Sequence, residues 1–207
     1  GLILEGAEFC NRSGMRMTCQ LKQGLLWSNG DRVTAQQYVA AFRRLVSTET
    51  KTTQSESLLS IKNARAILAG RANPDELGVK AIGDRQIVFD FEEFDPEFEY
   101  KLTLPALAPL HSLPWPEREN GTLIKTNGPY MIKNWERGKS IELTPNPRYP
   151  EAQKRPPVEI FFVEDDSAAL NLYEAGRMSF LRRLVSDNIR IYKDRPDFYQ
   201  VPMARFD

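Results

Sequence analysis

The sequence contains few of the residue types on which most catalytic and metal chemistry depends. It has one histidine, His111, and two cysteines, Cys10 and Cys19. A zinc site needs about three or four nitrogen, sulfur or oxygen ligands at close spacing, and this set offers no such pattern. A serine–histidine–aspartate triad would depend on His111, which a proline-rich stretch places in a loop. We therefore expect no metal site and no cofactor, and a hydrolase is the weakest functional hypothesis.

The sequence also lacks an excess of charge and a long apolar run. Lysine and arginine together number 28, as do aspartate and glutamate, whereas a nucleic-acid binder normally shows a basic excess or a basic stripe. The longest stretch without a charged residue, 102–116, has 15 residues and contains four prolines. A bilayer-spanning helix needs about 20 apolar residues. We therefore expect neither a nucleic-acid partner nor a transmembrane helix.

The residues that are present predict an α/β chain with mixed sheets and flanking helices. Hydrophobic residues make up 41% of the chain and charged residues 27%, which is typical of globular proteins. Alternating apolar and polar residues predict a strand over 15–21, and turn-forming residues at 11–14 make 7–10 its hairpin partner. The same patterns predict strands over 79–82, 86–91, 130–135, 140–144, 158–163 (a buried strand) and 178–181.

Helical spacing predicts four helices. Thr34 and Gln37 are spaced as a capping box at the start of the first. Its apolar face is formed by Tyr38, Val39, Phe42, Leu45 and Val46. Further helices are predicted over 56–69, 96–102 and 165–175. The order of elements in 158–181 favours a parallel pair of strands with a right-handed crossover, and the prolines of 105–116 predict a hinge or crossover between two α/β pieces.

Five blocks in the chain resemble, in the right order, the family 5 extracellular solute-binding proteins. The first, LKQGLLWSNGDRVTA at 21–35, is similar to the family's "LRKGVKFSDGTPVTA" segment. FRRLVSTET at 42–50 occupies the place of the helix end "FRRLLDPET". The third block consists of NGPY at 127–130 and NWERG at 134–138. The fourth is NPRY at 146–149, and the fifth is AALNLYEAG at 168–176. These proteins are the oligopeptide-, dipeptide- and nickel-binding receptors of ABC importers.

The resemblance implies a periplasmic-binding-protein-like fold, a type II clamshell of two lobes around a buried ligand. Residues 1–105 then correspond to the accessory subdomain of the first lobe, and 106–207 to the central part of that lobe. The second lobe has no counterpart in the sequence, so the chain is expected to be a fragment of a longer receptor.

The resemblance also suggests candidate ligand-binding residues. Asn127 and Gly128 precede Tyr130 in a loop that is the best local candidate for the cleft wall. The alternative is a glycine required only where the chain enters the strand. Arg182 and Arg183 would offer positive charge to a ligand carboxylate, with a solvated pair at a strand end as the alternative.

The function implied is peptide capture by the substrate-binding component of an ABC importer. Its partners would be the peptide, or a related small solute, and the importer's permease in the membrane. The location would be periplasmic or extracellular, with a lipid anchor as an option for the full-length protein. The same fold used as the ligand-sensing domain of a transcriptional regulator is the alternative.

The resemblance and the predicted hairpin together suggest that Cys10 and Cys19 form a disulfide, because exported proteins fold in an oxidising compartment. The register leaves an alternative open. A two-residue turn at Ser13-Gly14 would place Cys10 opposite Met17 instead, and the cysteines would then be two separate small apolar side chains.

Overall fold

The structure, a computed structural model, describes residues 7–50, 52–111 and 124–201. It opens on an antiparallel hairpin of β1 (Ala7–Ser13) and β2 (Arg16–Leu21). The turn is the two-residue Gly14-Met15, with Gly14 at a φ of +58°, so the predicted turn over 11–14 is wrong and β1 is longer than expected. Glycine at the first turn position matches the twist of a tight hairpin. This turn places Cys10 directly opposite Cys19.

Two further strands, both predicted as a hairpin, complete this sheet. They are β3 (Val79–Ile82) and β4 (Gln86–Asp90), joined through the turn that contains Gly83-Asp84. The strand order is β1-β2-β4-β3 with every neighbour antiparallel. Alternate residues of β2, namely Met17, Cys19 and Leu21, are buried, so one face of the sheet supplies the core, as the period of two requires.

The first predicted helix is confirmed as α1 (Ala35–Val46). The Oε1 atom of Gln37 accepts a hydrogen bond from the Thr34 amide at 2.9 Å, which satisfies a donor at the helix start. All five residues of the predicted apolar face are buried. The helix covers the sheet, and its Phe42 ring meets Phe89 of β4 edge-to-face at 5.4 Å, a favoured aromatic geometry.

The predicted helix over 56–69 is wrong in its middle. The structure has a 3-10 segment (Thr53–Leu58), a break, and then the short helix α2 (Ala64–Leu68). The break arises because residues 60–62 join the sheet end instead: the Lys62 amide donates to the Asp90 carbonyl at 2.9 Å, and the Gly78 amide donates to the Lys62 carbonyl at 2.9 Å. A Cβ atom at Gly78 would lie 2.6 Å from the Asp90 carbonyl oxygen, so this close backbone approach requires glycine.

The third predicted helix is confirmed over a shorter range as α3 (Phe98–Lys101), with 3-10 turns at Pro74–Glu76 and Pro105–Leu107. Phe98 and Leu107 are both buried with the residues of the first sheet. Residues 112–116 of the predicted hinge lie outside the described residues.

A second sheet contains β5 (Tyr130–Glu136), β6 (Ser140–Pro145) and β7 (Val158–Phe161), in that order. A 3-10 turn at Ala152–Lys154 interrupts the connection from β6 to β7. The β5–β6 pair and its turn are as predicted. The prediction that 158–163 is buried is wrong: Ile160 and Phe162 are 43% and 45% exposed, because no described residues cover them.

The fourth predicted helix is confirmed as α4 (Asp166–Glu174), and the prediction omitted a further helix, α5 (Ser186–Tyr192). Residues 178–181 are not a strand, so the predicted parallel pair is absent from the described part of the chain. A strand needs a hydrogen-bonded neighbour, and this four-residue run joins no ladder among the described residues, with Phe180 76% exposed.

The described residues form two compact units. The first contains the residues up to Trp135 together with Ile141–Glu159, and the second contains Glu136–Ser140 and the residues from Ile160 onward. This division does not test the assignment of 1–105 to an accessory subdomain and of 106–207 to the central part of the first lobe. That assignment stays a prediction.

Candidate functional site

The WSNGD loop, residues Trp27–Asp31, is a small hairpin held together by its own backbone. The Trp27 amide donates to the Asp31 carbonyl at 2.8 Å, and the Gly30 amide donates to the Trp27 carbonyl at 2.8 Å. The Trp27 side chain is 2% exposed and its Nε1–H donates to Gln37 of α1 at 2.9 Å. Trp27 therefore anchors the loop to α1.

The candidate ligand loop begins on this hairpin. The Ser28 amide donates to the Thr126 carbonyl at 2.7 Å, and the Thr126 amide donates back to Ser28 Oγ at 3.3 Å. Thr126 Oγ1 then accepts from the Gly128 amide at 3.0 Å. The backbone just before and after Asn127 is therefore fixed by a serine and a threonine that the sequence interpretation did not single out.

Asn146 is the main residue of the site that sequence reasoning missed. It is fully buried, and its Nδ2 atom donates to the Gly128 carbonyl at 2.8 Å. Its backbone amide donates to the Pro129 carbonyl at 2.9 Å, and its Oδ1 atom accepts from the Arg148 amide at 3.0 Å. The asparagine followed by proline in NPRY was the available signal, because asparagine side chains commonly bond backbone two residues on.

Three of the five predicted ligand-binding residues lie together in the first unit. Asn127, Gly128 and Tyr130 follow one another at the entry of β5. The Tyr130 hydroxyl donates to the Pro156 carbonyl at 3.1 Å. A Cβ atom at Gly128 would approach Thr126 Oγ1 at 3.3 Å, so even alanine would crowd the hydrogen bond that shapes this loop.

The other two predicted residues lie in the second unit. Arg183 is paired with Asp166 in the first turn of α4, with 2.8 Å between Nη2 and Oδ2. Arg182 is exposed. The alternative, a solvated pair at the end of a strand, is wrong about the strand, because the residues directly before the pair, 178–181, do not form one. The role of both arginines toward a ligand stays a prediction.

His111 has side-chain partners among the described residues, and none of them is a serine or a cysteine. Its Nε2 atom lies 2.7 Å from Asp31 Oδ2 and 3.3 Å from Asn29 Nδ2. The hydrogen bond from His111, followed by the one from Asn29, lowers the pKa of Asp31 below its ordinary value. Catalysis by a triad requires a serine or cysteine hydrogen-bonded to the imidazole, and no such bond occurs among the described residues.

The two cysteines are joined. Cys10 and Cys19 face each other across β1 and β2 with an S–S distance of 2.05 Å, and the Cys19 side chain is buried. Within the described ranges, no group of three or more histidine, cysteine, aspartate or glutamate side chains is arranged to hold a metal ion. In the same ranges, no helix has the length and apolar character needed to cross a bilayer.

The fold is that of peptide-binding proteins of known structure. An OppA of Listeria monocytogenes bound to peptide is 28% identical with a TM-score of 0.82, and the match covers 93% of this chain and 40% of that one. The Escherichia coli murein tripeptide binding protein MppA is 25% identical with a TM-score of 0.85, over 93% of this chain and 40% of that one. The predicted fold class, part of a periplasmic-binding-protein-like clamshell, is confirmed.

The family model of the bacterial extracellular solute-binding proteins, family 5 (middle), matches residues 7–206, and the chain belongs to this family. A dipeptide-binding protein of Lactococcus lactis is 27% identical over 95% of this chain and 38% of the relative. A probable deoxycholate-binding periplasmic protein of Escherichia coli, YgiS, is 32% identical over 80% of this chain and 32% of the relative. The chain therefore spans about a third to two fifths of these relatives.

Proposed function

We propose that this chain is part of the substrate-binding component of an ABC importer, which captures peptides by clamshell closure and delivers them to a permease in the membrane. The observation that carries the proposal is the family match over residues 7–206, together with the shared fold of a relative solved with peptide bound. Proteins of this family are described as extracellular. We place this one in the periplasm or outside the cell, either free or lipid-anchored.

The loop Thr126–Tyr130 is the proposed ligand-facing wall in the first unit. Three sets of hydrogen bonds hold its backbone: those with Ser28, the one from the Gly128 amide to Thr126 Oγ1 within the loop, and those from the buried Asn146. A preorganised backbone binds an extended ligand without an ordering cost at the time of binding. Asn127 and Tyr130 flank the close-approach position Gly128, and we assign these three residues to ligand contact.

Arg182 and Arg183 are proposed to attract the carboxylate of a peptide. Arg183 already shares its charge with Asp166, so its contribution requires that pair to open or to accept a third partner. Arg182 is exposed, and its guanidinium suits bidentate recognition of a carboxylate.

No bond is made or broken in this function, so we propose that the protein is not an enzyme. The one histidine supports this, since the partners of its ring nitrogen Nε2 among the described residues are a carboxylate and an amide, with no serine or cysteine that it could activate. The matched relatives give no support to the alternative that the chain is the sensing domain of a transcriptional regulator.

A bile acid is a second candidate ligand, favoured by the relative named as a probable deoxycholate-binding protein, which is 32% identical. Titration calorimetry decides between the ligands, using the whole product of the gene that encodes this chain. We expect binding from a mixed library of short peptides and none from deoxycholate. Binding of deoxycholate alone would replace the peptide proposal, and binding of neither ligand by the folded protein would contradict both.

The 207-residue chain alone is the informative comparison in this experiment. It spans about two fifths of the solved relatives, so we expect it to supply only part of the ligand's contacts. Exposed polar contacts are worth roughly 0–1 kcal/mol each, whereas immobilising a peptide costs at least about 4 kcal/mol. We expect dissociation constants at or above about 1 mM. Micromolar binding would show that this chain carries a complete site.

A further inference from the structure

The WSNGD loop has a second anchor, His111, in addition to its hydrogen bonds with Thr126. The His111 ring meets Trp27 edge-on, with 5.3 Å between ring centres and 89° between planes. Its Nε2 atom lies 2.7 Å from Asp31 Oδ2, and its backbone carbonyl accepts from Gln37 Nε2 at 3.4 Å. The histidine therefore touches the first and the last residue of the loop and the helix residue that holds Trp27.

We propose that His111 is a positioning residue for the WSNGD loop. Its contact with Asp31 makes the hydrogen bonds between Ser28 and Thr126 sensitive to pH, and with them the backbone that leads into Asn127. This inference goes beyond the proposed function, because it concerns the loop itself and holds whichever solute the protein binds.

The chemistry of the contact between His111 and Asp31 determines whether acid strengthens or weakens it. Histidine is the side chain that ordinarily changes charge between about pH 5 and 8. A neutral imidazole donates to Asp31 only in the tautomer that carries its proton on Nε2, whereas a protonated imidazole always donates there and forms a stronger, charge-assisted bond. Asp31 is ionised throughout this range, since its ordinary pKa of 3.8 already lies below pH 5 and hydrogen bonds from His111 and Asn29 lower that pKa further. Mild acid should therefore tighten the anchor.

Two other charged side chains face this loop. Lys125 acts electrostatically on Asp31. The Arg148 guanidinium approaches the loop at Gly30, where Nη2 lies 3.7 Å from the place a Cβ atom would take. Lysine and arginine ordinarily stay charged far above neutral pH, so both provide a constant positive background between about pH 5 and 8.

Amide hydrogen exchange on the 207-residue chain tests the proposal. After correction for the intrinsic exchange rate, we expect the Ser28 amide to be about two- to fivefold better protected near pH 5 than near pH 8, the size of effect typical of exposed pairs. His111 is the chain's only histidine, so His111→Gln, which keeps a polar side chain but does not titrate, should remove the dependence. Asp31→Asn, which keeps the shape but removes the charge, should remove it as well.

The β1–β2 hairpin supplies the internal control, because it is held by its own ladder and by the disulfide. Its amides should be equally protected in all three proteins. If His111→Gln weakens the hairpin, that variant is misfolded and Asp31→Asn decides. The proposal is overturned if the dependence at Ser28 persists in a folded variant or is absent from the unmodified chain.

Discussion

The two units of the chain are stabilised by different means. In the first, the sheet β1-β2-β4-β3 and helix α1 enclose a continuous apolar core, in which Phe89 contacts both Phe42 and Phe98 edge-to-face. In the second, Ala169 is the one buried apolar side chain among those the structure describes. Large apolar side chains there are exposed instead, with Phe180 at 76% and Tyr199 at 83%.

In the second unit, polar contacts rather than an apolar core hold the helices together. Arg195 binds Asp197 through two nitrogens, at 3.0 Å each, and reaches Glu174 at 2.8 Å, while the Tyr173 hydroxyl donates to Asp197 at 2.6 Å. These contacts join the end of α4 to the residues after α5. Exposed ion pairs contribute little each, whereas buried apolar groups contribute about 25 cal/mol per Å². Substitutions of similar size should therefore have very different effects in the two units.

The largest difference is expected for an aromatic deletion. Phe89→Ala removes a fully buried ring from the core, and should lower the free energy of unfolding by about 3–5 kcal/mol. Phe180→Ala is the matched control in the second unit and should change it by less than about 0.5 kcal/mol. Denaturant unfolding followed by circular dichroism measures both. Equal losses would mean that Phe180 is packed in solution and that the comparison is wrong.

The disulfide is the next largest contribution. The Cys10–Cys19 bond closes a short loop, and its removal in a double Cys→Ala variant should cost roughly 2–3 kcal/mol on the chain-entropy account. Alkylation of the folded protein without reductant should label neither cysteine, and both should react after reduction and unfolding. Labelling of both thiols in the folded, unreduced protein would show that they are not paired.

A smaller effect is expected at the start of α4. Asp165 Oδ1 accepts from the Ala168 amide at 2.7 Å, so Asp165→Ala should destabilise the helix by about 1 kcal/mol. Asp165→Asn keeps the acceptor and should retain most of the stability. Hydrogen exchange of the first-turn amides of α4 measures the difference. If alanine and asparagine fray the helix equally, charge rather than capping is the stabilising feature.

The smallest effect is expected for the pH response of Asp197. Hydrogen bonds from Arg195, and then from Tyr173, lower the pKa of Asp197 from 3.8 to about 2. A depressed carboxyl pKa stabilises the fold above about pH 4 and loses that effect as the pH falls toward 2. A carbon-detected titration of this carboxyl should show a midpoint near 2, which Arg195→Gln should raise. A midpoint near 3.8 in the unmodified protein would argue against the network.

Local sequence patterns were sufficient to predict an element wherever that element depends on its own residues. The capping box at Thr34 and the apolar spacing that follows it define α1. Turn residues define the hairpins of β3 with β4 and of β5 with β6, whereas for β1 and β2 they predicted the hairpin but misplaced its turn. They were insufficient where distant backbone decides. Residues 60–62 pair with 78 and 90–92, so a segment of helical periodicity is interrupted by contacts that local sequence does not encode.

The candidate site shows the same division. The motifs that contain Ser28, Asn127 and Asn146 were each visible in the sequence, but their convergence depends on hydrogen bonds between residues that are 18 and 98 positions apart. The role of Asn146 follows from its complete burial against the Gly128 carbonyl, and burial cannot be inferred from a single asparagine in a turn.

The disulfide has a practical consequence for attaching probes to the two units. It occupies both cysteines of the sequence, so the oxidised chain has no thiol that competes for a maleimide reagent. Two exposed tyrosines, Tyr100 in the first unit and Tyr199 in the second, are 77% and 83% accessible. A variant carrying Tyr100→Cys and Tyr199→Cys would accept a fluorophore pair or two spin labels, and the distance distribution between the labels would test whether that distance changes when solute is added.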